Sequence, residues 1–382
     1  MNIETRVFLR KRFKAYYWKA KVTSPAEVHK REFGVGTLED KIKVRHKSFA
    51  SDRDLTNFLK REAPSYISYS TAYYEFPENQ PMESKNWLGA DLVFDLDAPI
   101  KYLDSEILNR VKTETINLKG FLLDDFGISE SDIAINFSGS KGYHLHVSSD
   151  EVLPLSGEAR RQIVDYVTGS GLDLNFYMRE VQADGVTSSR TGEYINPAST
   201  VKGPTGADEG WGKRIYDTVH EYLEGSTLKD FLRLDGVGPK RAENLLRDRK
   251  ANLKALEAGS WEGVSDLSPK LLQKIVDEKA VALTGDTDKM VTIDTARLIR
   301  LPDTIHGGSG LLAKRVGNIE EFDPLVDAVV FGKDEVKITS TKDIPKFDLM
   351  NEKCGPYKLD ESMSLPEYAA VYLMLKDAVE KA

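Results

Sequence analysis

The stretch LVFDLDAPI, residues 92–100, constrains this chain more than any other segment. An apolar run rich in β-prone residues predicts a buried strand. Side chains of an extended chain alternate between two faces, at a rise of about 3.3 Å per residue. Asp91, Val93, Asp95 and Asp97 therefore share one face, and Leu92, Phe94 and Leu96 the other. Asp95 and Asp97 project together, roughly 6–7 Å apart at Cα. Carboxylates that close repel one another unless a cation stands between them. Hard oxygen donors of this kind suit Mg²⁺ or Mn²⁺, which keep room for substrate phosphates. Taken alone, the D-x-D step has two readings: a metal pair, or two solvated carboxylates at a strand end. Haloacid-dehalogenase-type phosphatases also begin with D-x-D, but Ala98-Pro99 departs from what usually follows there.

A second segment, FSGSKGYHLHV (137–147), reads as strand, glycine turn, strand. Gly139 and Gly142 bracket a turn whose amides can converge on an anion. Ser138, Ser140, Lys141 and His144 are candidates for a phosphate-binding corner, and His144 and His146 share one face of the following strand. A plain hairpin with surface histidines is the other reading. A third segment, DKMVTIDTARLIRLPDTIHGGSG (288–310), joins Asp288, Asp294, Arg297, Arg300 and His306 to a Gly-Gly turn. Its arginines suit phosphate contact.

Around these motifs the chain reads as a mixed α/β (α+β) protein. Helices are predicted over the basic, aromatic-rich stretch 5–21, over 103–126, over 156–170 and in the C-terminal LPEYAAVYLMLKDAVEKA. Strands are predicted at either end of REFGVGTLEDKIKVRHKSF (31–49), in 65–76 and in 327–339. From about 171 to 285 short helices and glycine turns dominate. With 382 residues the chain is too long for one simple core. Residues 1–170 and 286–382 are expected to form one domain, with 171–285 as a mainly helical insert. Within the insert, LKDFLRLDGVGPKRAENLL (228–246) is similar to a helix-hairpin-helix. Gly236 and Gly238 let backbone amides approach phosphate, and Lys240 and Arg241 reinforce them. An ordinary packing corner is the alternative.

The net charge of −8 does not exclude nucleic acid, because local distribution outweighs the sum. The basic residues of 5–21 read either as a solvated helix face or as a phosphate-backbone contact. No apolar stretch reaches the roughly 18–20 residues of a membrane span, and no secretory leader is visible, so an intracellular, cytoplasmic location without membrane contact is expected. A single cysteine, Cys354, forms no intramolecular disulfide and no thiolate zinc site.

Together the segments REFGVG, VRHKSF, YSTAYYE, NWLGADLVFDLD, DDFG, FSGSKGYHLHV, RLIRLPDTIHGGSG and LPEYAAVYLML resemble, in order, the catalytic small subunit of archaeal and eukaryotic DNA primase in its archaeal form. The resemblance implies a mixed-sheet primase catalytic core and templated nucleotidyl transfer with two divalent ions. It implies Asp95 and Asp97 as metal ligands, with Asp288 as the third and Asp294 as its competitor. It implies Ser138, His144, Arg300 and His306 as nucleotide-binding residues, with Glu32 and Arg45 nearer the front. It further implies a large partner subunit carrying an iron–sulfur cluster, in a heterodimer that acts on single-stranded DNA template, RNA or DNA primer and nucleoside triphosphates. The chain departs from the pattern in three places. The glycine turn offers Ser140 and Lys141 where relatives usually have arginine. Gly308 stands where a lysine is frequent, which makes Lys314 or Arg315 the expected substitutes. Residues 98–126 hold neither cysteine nor histidine, so no structural zinc is expected. A primer-extending repair polymerase of the same superfamily and a non-catalytic nucleic-acid-binding protein are the alternative functions.

Overall fold

The computed structural model describes residues 1–182, 199–234, 237–264 and 286–382; at 182, 199 and 286–288 the description covers the backbone only. In chain order the strands begin with β1 (Phe33–Gly36), β2 (Val44–Lys47), β3 (Tyr66–Ser70), β4 (Ala72–Tyr74), β5 (Trp87–Ala90) and β6 (Leu92–Asp97). They continue with β7 (Ile133–Phe137), β8 (Gly142–Val147), β9 (Arg179–Gln182), β10 (Ser199–Lys202), β11 (Leu298–Arg300) and β12 (Thr304–Ile305). The last are β13 (Leu312–Val316), β14 (Glu335–Ser340), β15 (Phe347–Leu349), β16 (Glu352–Cys354), β17 (Ser362–Pro366) and β18 (Val379–Lys381). The fold is α+β with several antiparallel sheets, as the sequence predicts.

The chain forms two compact units. The first comprises Met1–Lys119, Ile128–Val164 and Ala282–Ala382, and its centre is a five-stranded sheet in the order β12-β13-β7-β8-β6. One face of that sheet is apolar. Leu92, Phe94, Leu96, Phe137, Tyr143 and Leu145 are each at most 2% exposed, and Phe137 and Tyr143 pack edge to face at 5.6 Å. A four-stranded sheet, β11-β3-β1-β2, belongs to the same unit. Its first helix, Ile3–Lys19, starts at Asn2, whose side chain accepts from the Thr5 amide at 2.8 Å. Thr5, Leu9, Phe13 and Tyr17 form its buried stripe, so Arg10, Lys11 and Lys14 face solvent.

The C-terminal segment departs from expectation. Its helix covers only Glu367–Leu375, and the tail returns as β18 to pair with β14. Asp377, at φ 51°, takes a left-handed conformation that no helix continues through.

The second unit comprises Gly120–Gly127 and Asp165–Val281. It therefore takes residues 120–127 and 165–170, which the sequence analysis assigned to the core. The reason lies in their partners. Phe121 packs at 5.3 Å on Trp211, and Asp125 accepts Arg214 Nη2 at 2.7 Å. Helices Gly210–Gly225, Leu228–Leu232, Pro239–Arg247 and Arg249–Glu257 gather around buried Leu223, Phe231 and Trp261.

Candidate active site

Register assembles the candidate site before any tertiary contact is needed. Across the β6–β8 pair Asp95 lies opposite His144, and Asp97 opposite Gly142. On its other side His144 lies opposite Asn136 of β7. Gly142 admits no side chain, because a Cβ would stand 1.8 Å from the Leu96 carbonyl oxygen and 2.6 Å from Asp97 Oδ1. Gly139 turns the chain at φ 83°, where a Cβ would press on His306 Cβ at 2.8 Å. The Ser309 hydroxyl donates to the Gly139 carbonyl and so ties this turn to the one following His306.

Asp95 and Asp97 open to a cavity of about 460 Å³. Ser138, Ser140, Lys141 and His144 border it from the β7–β8 hairpin. Arg300 and His306 border it from β11 and from the turn after β12. Eight of the residues nominated from these segments thus meet in one place. Lys141 Nζ pairs with Asp97 Oδ2 at 3.2 Å, and His144 Nε2 stands 3.4 Å from Asp95 Oδ1. The Ser138 hydroxyl accepts from the Gly142 amide at 3.2 Å and keeps its own hydrogen to donate. His306 Nδ1 accepts from the Gly308 amide at 3.2 Å, which assigns its proton to Nε2. The Arg300 guanidinium lies over the Tyr66 ring at 5.1 Å.

Burial dominates the electrostatics of the site. Burial pushes the Asp95 carboxyl up to about 6, and Lys141, Arg297 and Arg300 offset only part of that rise. Burial, and then the Asp95 charge, raise Asp97. Burial drives His144 down to about 4 and His306 well below its ordinary range, so both rings are neutral at pH 7. Asp95 Oδ1 is buried and accepts no hydrogen bond, and buried Arg300 Nη1 donates none. Paired hard-oxygen donors held in this state fit a divalent cation. Among the described residues no group of three or more His, Cys, Asp or Glu side chains gathers as metal ligands. The Asp288 side chain lies outside the described residues; its helix, Asp286–Ile293, runs against β6. Asp294 accepts from the Ala296 amide at 2.9 Å and borders a neighbouring cavity instead.

Other nominated residues lie elsewhere. Glu32 is fully buried and holds Arg45 Nε at 2.7 Å and Lys85 Nζ at 3.5 Å, away from the cavity lining. Arg45 borders the cavity of Asp294. Asp91 is likewise engaged, by Arg31 at 2.7 Å and by the Ser148 hydroxyl at 2.9 Å. Lys314 donates to the Asp327 carbonyl at 2.7 Å, and Arg315 borders a different cavity beside His146, so neither stands in for a lysine at Gly308. The cavity instead contains Lys41, Tyr66, Arg297 and Lys376. Of these, Arg297 was visible in its motif, and the other three carried no local signal.

In the second unit, helices Leu228–Leu232 and Pro239–Arg247 pack together, with Gly238 capping the latter. Val237 is buried beneath the turn and Lys240 is exposed; Arg241 is half-buried, and Gly236 lies outside the described residues. No described helix is long and apolar enough to cross a membrane.

Residues 94–317 match the model of the DNA primase small subunit family. The full chain is 37% identical to the DNA primase small subunit PriS of Methanococcoides burtonii, covering 99% of that protein. It is 37% identical to PriS of Methanosarcina acetivorans over 97% of its length, and 35% identical to PriS of Halobacterium salinarum over 100%. With the D-x-D strand, the glycine turn and the His306 segment folded around one cavity, and with relatives matched along the whole chain, this protein belongs to the DNA primase small subunit family.

Proposed function

We propose that this chain is the catalytic subunit of a DNA primase, joining nucleoside triphosphates on single-stranded DNA template into short RNA or DNA primers. The observation that carries this reading is the convergence of half-buried Asp95 and Asp97 with Lys141, Arg297 and Arg300 around one cavity. Carboxylates beside cations in a cavity of about 460 Å³ suit a metal-bound triphosphate.

Asp95, Asp97 and Asp288 would hold two Mg²⁺ or Mn²⁺ ions. When bound, these ions lower the pKa of the attacking 3′-hydroxyl and neutralise charge on the departing pyrophosphate. The remaining work is positioning. Arg300 brings a fixed charge with an unused buried N–H. Neutral His306, with its proton on Nε2, donates a hydrogen bond without adding charge. Ser138 has its hydroxyl hydrogen free for a phosphate oxygen.

Membership of a small-subunit family supports a large partner subunit. The turn at Gly238, with Lys240 and Arg241, supports contact with the nucleic-acid backbone. A replication role inside the cell follows from the same reading.

Incubation of the full chain with Mn²⁺, unprimed single-stranded DNA and each class of nucleotide tests the proposal. Short products are expected, and Asp95→Asn should make none. Extension of annealed primers alone would assign the repair-polymerase activity instead. No product from either substrate overturns the reading.

A further inference from the structure

Two ammonium groups in the catalytic cavity belong to none of the motifs. Lys41 comes from the turn between β1 and β2, and Lys376 from the residue that caps the C-terminal helix Glu367–Leu375. Both positions are built into the fold. The Thr37 amide donates to the Asp40 carbonyl at 2.8 Å, and a Cβ on Gly36 would stand 2.2 Å from the Lys41 carbonyl oxygen, so the turn before Lys41 is tightly closed. Gly310 seats the turn after His306 on the last helix, since a Cβ there would press on Val371 at 2.9 Å and Leu375 at 3.3 Å. Lys342 Nζ donates to the Lys376 carbonyl at 3.0 Å, satisfying an acceptor that the helix end leaves open. The Lys376 ammonium lies 5.5 Å from the centre of the Tyr372 ring.

Charge decides what this arrangement can hold. The cavity is lined by five cationic side chains (Lys41, Lys141, Arg297, Arg300 and Lys376) and by two carboxylates. Lys141 is ion-paired to Asp97; among the described residues neither Lys41 nor Lys376 has a carboxylate within pairing distance. Like charges crowded without counter-ions are costly unless a polyanion joins them. Burial, followed by Lys141, Lys342 and Lys41, holds the Lys376 ammonium below its ordinary range. The cations also sort by position. Lys141 stands against Asp97, whereas Lys376 and Lys41 lie beyond pairing distance of both aspartates. Lys376 and Lys41 therefore line the cavity outside the immediate contact of the paired aspartates.

We propose that Lys376 and Lys41 form the subsite for the terminal phosphate of the incoming nucleoside triphosphate. This rests on the nucleotidyl-transfer reading and adds a C-terminal residue to its substrate recognition. The test is a binding titration of the full chain, with Mn²⁺, against a non-hydrolysable nucleoside triphosphate and the matching monophosphate. Lys376→Met keeps the hydrocarbon stem over Tyr372 and removes the charge. Triphosphate affinity should fall about tenfold or more, as for a lost charge-assisted hydrogen bond. Monophosphate affinity should stay within about twofold of the original. Lys41→Met should act in the same direction, and Lys376→Arg should keep most of the affinity. Equal losses for both ligands, or no loss, overturn the subsite while leaving the nucleotidyl-transfer reading intact. A wild-type chain that binds no triphosphate overturns both.

Discussion

Asp95 and His144 face each other across the β6–β8 register, with His144 Nε2 3.4 Å from Asp95 Oδ1. Neither is comfortable in its charged form. Burial raises the carboxyl to about 6 and lowers the imidazole to about 4, so at neutral pH a half-buried carboxylate stands beside a neutral ring. The cost of that charge is measurable in the absence of any turnover.

Metal-free protein should gain stability when Asp95 loses its charge. A carboxyl raised in the fold contributes stability that is complete below its ordinary value of 3.8 and is lost as pH rises through about 6. Asp95→Asn should therefore stabilise the chelated protein at pH 7.5 by up to about 3 kcal/mol, the equivalent of roughly two pKa units. At pH 4 the two proteins should unfold alike in denaturant. Added Mn²⁺ should raise the melting temperature of the wild type and not of Asp95→Asn. A variant less stable than wild type in chelator at pH 7.5 would remove the buried-charge account.

His146 should add to acid sensitivity in the opposite sense. Burial pushes its imidazole down to about 3, and its Nε2 is buried without a hydrogen-bond partner. A base depressed in the fold contributes stability that is present above its ordinary 6.5 and is lost as pH falls. His146→Phe preserves a ring against Tyr69, on which His146 stacks at 6.4 Å. Between pH 7 and pH 4 this variant should lose about 3 kcal/mol less stability than the wild type. Parallel pH profiles from denaturant melts would rule the effect out.

The closeness of β6 and β8 at the site depends on Gly142. With a Cβ 1.8 Å from the Leu96 carbonyl oxygen, Gly142→Ala must push the strand carrying Asp95 and Asp97 aside. The expected cost is about 3 kcal/mol or more, with loss of nucleotide incorporation. Gly317→Ala, where nothing lies within 4 Å of the new carbon, should change stability by no more than about 0.5 kcal/mol. Equal melting curves for the two variants would refute the packing argument.

Strand alternation placed Asp95 and Asp97 on one face, and the short hairpin grouped Ser138 with His144, because both patterns are local; that the two groups share one site was what the family resemblance implied. Lys41, Tyr66 and Lys376 were illegible for the converse reason: they reach the cavity from distant parts of the chain, through packing that no periodicity records. Glu32 illustrates a different limit. The resemblance alone nominates it, and its enclosure by Arg45, His46 and Lys85 forms an interior ion cluster that no local pattern announces. The C-terminal tail misled because its composition suits a helix, while the break at Asp377 and the open edge of β14 are tertiary facts.

That enclosure predicts what Glu32→Ala will do. Removing the carboxylate strands the fully buried Lys85 ammonium, at a cost of about 3–5 kcal/mol. A residue that touched nucleotide instead would raise KM and leave the denaturation midpoint in place. Measuring both separates the two roles.

The helical unit offers the last test. Lys240 is exposed on the first turn of Pro239–Arg247, just past the Gly238 cap, where helix amides and a cation both face outward. If this corner holds the phosphate backbone, Lys240→Glu should weaken single-stranded DNA binding several-fold and equally for every base sequence. One lost phosphate contact should also reduce the slope of log affinity against log salt by about 0.7. Binding of free nucleotide should not change, since the catalytic cavity is lined by other residues. An unchanged salt slope would make the turn a packing corner, closed by Val237 and by glycine for reasons of shape alone.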